Sequence, residues 1–102
     1  MNNKLTKEEV QLVLSEAPAE RKFFCADGKV FSSIEQLQHA LYNMSPNTFR
    51  YHVNQQKNDF SNWIKYVFRD ELLAQDIQKQ KSKEAIAKRI KTRLQELKQI
   101  AK

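Results

Sequence analysis

Residues 58–70 read Asn58-Asp59-Phe60-Ser61-Asn62-Trp63-Ile64-Lys65-Tyr66-Val67-Phe68-Arg69-Asp70. Phe60, Trp63, Ile64, Val67 and Phe68 fall at i, i+3, i+4, i+7 and i+8, the spacing of one face of an α-helix. Asn58 or Asp59 is placed to cap its first turn, because a short side-chain oxygen there accepts a backbone N–H that has no partner within the helix. The stretch predicts a helix over 59–69 at the centre of the core, with Trp63 largely out of water. It decides a mostly α fold, around which the rest of the chain arranges further helical stripes.

On the C-terminal side, Asp70 is a cap for a short helix carrying Leu73 and Ile77 inward. Ser82 caps a last helix in which Ile86, Ile90, Leu94, Leu97, Ile100 and Ala101 share one face. No Gly or Pro follows Pro46, so residues 71–101 read either as two helices or as one. On the N-terminal side, Ser45-Pro46 reads as N-cap and first-turn proline, opening a short helix with Phe49 and Val53 inward. Ser32-x-x-Glu35 reads as a capping box ahead of the stripe Ile34, Leu37, Leu41, Met44. Thr6-x-x-Glu9 is a second such box, ahead of Val10, Val13, Leu14 and Ala17, with Pro18 as the stop.

One segment breaks the helical pattern. In Phe23-Phe24-Cys25-Ala26-Asp27-Gly28-Lys29-Val30-Phe31 an Asp-Gly pair separates two short apolar runs, the signal of a tight hairpin. A two-residue Asp27-Gly28 loop, both residues at positive φ, sets Cys25 opposite Val30 and Phe24 opposite Phe31. Both faces of that ribbon are apolar, so helices are expected to cover it. The architecture expected is a compact bundle of short helices with one small hairpin near residues 22–31 and a basic amphipathic C-terminal helix. Residues 1–80 form the helical body, and 81–102 form a helix packed on it or extending from it.

With 102 residues the chain has room for one domain, and six Phe, three Tyr and one Trp supply large core pieces. Cys25 is the one cysteine, so no internal disulfide forms and a reducing, cytoplasmic setting is expected. Met1–Thr6 has no apolar run of the kind a secretory leader needs, and apolar runs elsewhere are too short to span a membrane.

The residues that carry chemistry are sparse. Gly28 is the one glycine, so a glycine-rich phosphate loop of the Walker or Rossmann kind is excluded. Cys25, His39 and His52 do not have the paired short spacings of a zinc site, and no metal or other cofactor is expected. Cys25 reads as a small buried hydrophobe rather than a nucleophile. His52 with Asp59 is the one pairing that resembles catalytic machinery. Without a nucleophile, glycine loop or metal it has no reaction to serve, and His52 reads as a helix-end residue in a local hydrogen bond. No enzyme is expected.

Charge is distributed unevenly. The net charge is +6, yet residues 1–80 carry ten Lys/Arg and ten Asp/Glu. The whole excess lies in residues 81–102, where eight Lys/Arg face only Glu84 and Glu96. On the helical wheel Lys81, Lys88, Lys91, Lys98 and Lys102 gather opposite the apolar stripe, with Arg89 beside them. These six are the candidate nucleic-acid contacts. Lysine suits point-charge contact with phosphate more than base reading, so such binding is expected to be nonspecific. The same helix also reads as a solvated face, or as an amphipathic surface for a partner.

The pattern Phe24-x-x-Asp27-Gly28, then Phe49-x-Tyr51-His52-Val53-Asn54, then Asn58-Asp59-Phe60-Ser61-x-Trp63-Ile64, then Asp70 with Leu73-Ala74, resembles a small, largely archaeal family of domains of unknown function. The likeness covers roughly residues 20–80 and is most specific in the Asn-Asp-Phe-Ser-x-Trp-Ile string. It implies a compact, mostly helical unit and brings no activity. The functional expectation is a non-enzymatic interaction module that meets a protein partner or a second copy of itself. A nonspecific nucleic-acid binder is the alternative, and a membrane surface is the least expected partner.

Overall fold

A computed structural model describes residues 5–102; Met1–Lys4, most of the stretch read as lacking a leader, lie outside the described residues. The elements are α1 (Lys7–Leu14), β1 (Phe23–Phe24), β2 (Val30–Phe31), α2 (Ile34–Asn43), α3 (Pro46–His52), α4 (Asp59–Trp63), a π-helical turn over Ile64–Phe68, α5 (Glu71–Gln78) and α6 (Lys83–Ala101). The fold is therefore mostly helical, with one antiparallel strand pair and a long final helix.

Every long helix begins on a side-chain cap. Thr6 and Glu9 form the reciprocal capping box of α1, and Ser45, Asn58, Asp70 and Ser82 each accept the backbone N–H three residues on. The α2 cap lies one residue later than the spacing suggests. Ser33 accepts from Gln36 N, and the Gln36 side chain reaches back to Ser32 N, so the pair in use is Ser33 and Gln36 rather than Ser32 and Glu35. The first helix ends at Leu14, short of Ala17, because Ser15 turns extended and bonds Leu12 O through both its backbone and its hydroxyl. Ala17 is buried all the same, held by its N–H to Ser32 O.

The hairpin differs from its expected register by one residue. Phe23 pairs with Phe31 and Phe24 with Val30, which leaves a three-residue loop, Ala26–Gly28. Gly28 N donates to Cys25 O and Cys25 N donates to Lys29 O, a turn followed by one left-handed residue. Gly28 has φ +92, and Asp27 stays out of the left-handed region because its Oδ1 accepts from Lys29 N instead. A one-residue slip exchanges the faces of a strand. Phe23, Cys25 and Phe31 are thus all buried, while Phe24 and Val30 are 67% and 45% exposed. Helices cover one side of the ribbon, not both.

The 59–69 stripe is buried as read, with Phe60 and Ile64 fully enclosed and Trp63 8% exposed, but it is not one α-helix. After Trp63 the backbone widens into the π turn. A wider turn brings residues five apart onto one face, and Trp63 and Phe68 meet ring to ring at 5.0 Å, edge to face. Arg69, at φ 61, ends the turn in the left-handed region.

The last helix shares the core with this stretch. α6 packs on α1, α2 and α5, with Ile86, Ala87, Ile90 and Leu97 completely buried. Residues 71–101 form two helices, because the chain leaves helical geometry after Lys79 and Ser82, in extended geometry, caps the second. Ile100 and Ala101, read as part of the buried seam, are exposed. No helix among the described residues is long and apolar enough to cross a membrane.

Candidate functional site

His52 closes α3 and is 4% exposed. Its Nδ1 lies 2.9 Å from Asp59 Oδ2, and its Nε2 accepts from the backbone N–H of Ala26 at 3.0 Å. An N–H can only donate, so Nε2 presents its lone pair and Nδ1 carries the proton toward Asp59. Asp59 also accepts from Lys57 Nζ at 2.9 Å. Both ring nitrogens are therefore engaged, one across 26 residues to the hairpin. The ring itself is wedged among Phe23, Tyr51 and Phe60, with centroids 5.0 to 5.3 Å away. A general base needs a free nitrogen facing substrate, and this one faces a backbone amide. The pairing pins the hairpin to α3 and α4.

Cys25 is buried beneath the hairpin. Burial pushes its thiol above the ordinary range, and contact with the Asp27 carboxylate adds to the rise, opposite to what nucleophilic activation requires. His39 is exposed on α2, near Glu35. Among the described residues no three His, Cys, Asp or Glu side chains gather as metal ligands.

The basic segment divides into two flanks. Arg89 and Arg93, one turn apart, face α5 and are neutralised there. Arg89 meets Asp76 at 3.1 Å, and Arg93 grips Asp70 through two bonds, Nε to Oδ2 at 2.8 Å and Nη2 to Oδ1 at 3.0 Å. On the other flank Lys91, Lys98 and Lys102 recur at i, i+7 and i+11, and Lys88 lies between the two flanks, on the wall of the cleft that separates α5 from α6. Of these, Lys98 pairs with Glu35 on α2 at 3.5 Å. Lys81, Lys88, Lys91 and Lys102 are exposed and make no ion pair among the described residues. Lys83 is spent on the carbonyl of Met44. Four of the six expected phosphate contacts are thus free, while Arg89 and Lys98 share their charge with carboxylates.

Three features were not singled out from the sequence. Phe24 and Val30 form an exposed apolar pair on the outer face of the hairpin. Tyr51 is 60% exposed, with Lys57 Nζ 4.4 Å above its ring. Beside it a polar cleft separates the 54–58 loop from the end of α5. The run Asn54–Asn58 and the Lys/Gln bias of residues 75–83 are its sequence traces, although nothing local says that the two stretches face each other. Comparison of the chain with protein-family models, with curated proteins and with solved structures returned no match.

Proposed function

We propose that this chain is a non-enzymatic interaction module that contacts nucleic-acid phosphates through the exposed lysines of its last helix. The observation that carries this reading is the contrast between the two faces of α6. Its apolar seam, which would meet a partner helix, is enclosed in the chain's own core. Its outer flank presents Lys91 and Lys102, with Lys88 at its edge and Lys81 ahead of it, to water without a carboxylate partner among the described residues. Point charges on a rigid helix displace condensed counterions from a phosphate backbone without reading bases. A cytoplasmic setting suits the free thiol of Cys25.

The test is binding of a labelled duplex, followed by fluorescence anisotropy across a series of salt concentrations. Three to four contacts give a slope of log K against log salt of about −2.7 to −3.6. Replacing Lys88, Lys91 and Lys102 by Gln is expected to weaken binding and flatten the slope with little change in melting temperature. Absence of binding at low salt, where attraction is least screened, ends this reading.

A protein partner, or a second copy of the chain, is the second reading, favoured by the Phe24–Val30 pair. These cross-strand neighbours leave a patch of apolar surface on a two-stranded ribbon whose other face is already packed. Sedimentation over a range of concentrations checks self-association. A dimer lost on Phe24→Ser and insensitive to salt supports it, and a monomer at every concentration removes the homodimer.

A further inference from the structure

The polar cleft has a volume of about 460 Å³ and is lined by Gln55, Gln56, Lys57, Gln78, Gln80 and Lys81, with no carboxylate on its walls. Two asparagines hold it in shape. Asn54 donates to the carbonyls of Arg50 and Tyr51 and accepts from Gln56 N, while Asn58 accepts from Ser61 N and donates to Ile77 O. Asn54 thereby ties the loop to the end of α3, and Asn58 ties it to α5. The side chains of Gln55, Gln56 and Gln78 make no hydrogen bond among the described residues, and Lys81 has no ion pair. Gln80 also lines a second cleft, of about 550 Å³, that runs between α5 and α6 past Lys88 and Arg89. The two clefts therefore adjoin at Gln80, whose side chain is bonded to the Asp76 carbonyl, and as a neighbouring pair they make up the trough. Asp76, which is paired with Arg89, and Glu96 are the carboxylates of its far part. Tyr51 does not line the cleft but adjoins it, its backbone carbonyl accepting from Asn54 and its ring lying under Lys57, two residues that do line it.

We infer that this trough takes a single-stranded polynucleotide, with a base stacked on Tyr51, the free glutamine amides bonded to base edges, and Lys81 and Lys88 against the phosphates. A primary amide carries both a donor and an acceptor, which matches the mixed edge of an unpaired base. Every base has a π face, so one exposed aromatic beside a cationic groove binds single strands with little sequence preference. In a duplex the base faces are stacked away, and the outer lysines of α6 can still meet phosphates while Tyr51 has nothing to stack on. The inference rests on the reading that nucleic acid is the partner and adds which form of it is preferred.

The experiment compares a labelled oligouridylate of about 12 nucleotides, the corresponding oligothymidylate and a duplex of the same length, all at low salt with the full chain. Single strands are expected to bind at least about fivefold tighter than duplex. Tyr51→Ala is expected to weaken single-strand binding about tenfold and leave duplex binding unchanged. Tyr51→Phe, which keeps the ring, should restore it. Backbone and side-chain amide NMR on the unaltered protein gives a readout that needs no variant. Added oligouridylate should shift the side-chain amides of Gln55, Gln56 and Gln78. Equal affinity for duplex and single strand, with Tyr51→Ala silent, overturns the trough and leaves phosphate contact by α6 standing. Shifts confined to the Lys91–Lys102 flank, or equal displacement by a sulfated polysaccharide whether or not Tyr51 is present, overturn it as well. No binding to any oligonucleotide overturns both readings together.

Discussion

Replacing Arg93 by Met separates the structural cations of α6 from those free to bind. The Asp70 side chain is 2% exposed, and its oxygens are shared between the α5 cap at Leu73 N and the Arg93 guanidinium. Methionine keeps the apolar stem of the arginine and removes both charge-assisted bonds. The carboxylate is then left with one backbone donor and restricted water. Breaking a buried pair from one side costs about 3–5 kcal/mol. The lower end applies here, about 3 kcal/mol, because Arg93 is 17% exposed and water can follow it in. For a domain near 100 residues each kcal/mol moves the melting temperature by at least about 4 °C, so the expected drop is roughly 12–15 °C by circular dichroism or calorimetry. Asp70→Asn combined with Arg93→Met is expected to recover half or more of the loss, since Asn also caps a helix and no buried charge remains. Anion affinity of the folded Arg93→Met protein should match that of the parent. A loss below about 1 kcal/mol, or a double variant no more stable than the single, would refute the account.

Three further outcomes follow from the packing. Trp63→Ala should cost about 3–5 kcal/mol, measured by urea titration, because it empties a site between Phe23 and Phe68 and deletes the Nε1 bond to Arg21 O. Gly28→Ala should cost about 1–2 kcal/mol from the left-handed backbone alone, since no atom lies within 4 Å of the added Cβ; Gly28→Asn should cost less. The Asp27 carboxyl is held below its ordinary value, first by the Lys29 backbone N–H. Its contribution to stability is thus present above the unfolded-state value and fades as pH falls through the lower folded-state value. Protection of the Lys29 amide from hydrogen exchange, taken relative to its intrinsic rate at each pH, should fall over that acidic window, and Asp27→Asn should remove the dependence.

Much of the fold is legible because its determinants are local. The caps at Thr6, Ser45, Asn58, Asp70 and Ser82 each bind an amide three residues away, so a short window contains the whole interaction. The left-handed position of Gly28 is equally local. The hairpin register is not, because two- and three-residue loops both satisfy Asp-Gly. The choice is made by Phe23, whose ring packs on Phe31, His52, Phe60 and Trp63 from three other elements. The π turn is hidden for a similar reason: an i, i+3, i+4, i+8 stripe is common to both helical geometries until Trp63 and Phe68 are seen in contact. At the candidate interface the lysines and their shared face are visible in the sequence. Which cations are already neutralised is not, because Arg89 and Arg93 find carboxylates 13 and 23 residues away. The polar cleft pairs two unremarkable stretches and is visible only once the chain is folded.

The packing of α6 on α1 has a consequence for how this protein assembles. Joining those two helices closes a loop of nearly the whole chain, and the entropy of that closure is on the order of 4 kcal/mol. Helical proteins that depend on neighbour-to-neighbour contacts fold fastest, and this one, which depends on a distant pairing as well, is expected to fold more slowly than its helical content alone implies. Until α6 docks, Ile86, Ile90, Leu94 and Leu97 have no partner in α1 or α2, and the seam is apolar surface open to other chains. Refolding yield should therefore fall as protein concentration rises. Substitutions within the seam should slow folding, whereas changes at the lysines on the opposite flank should leave the folding rate unchanged.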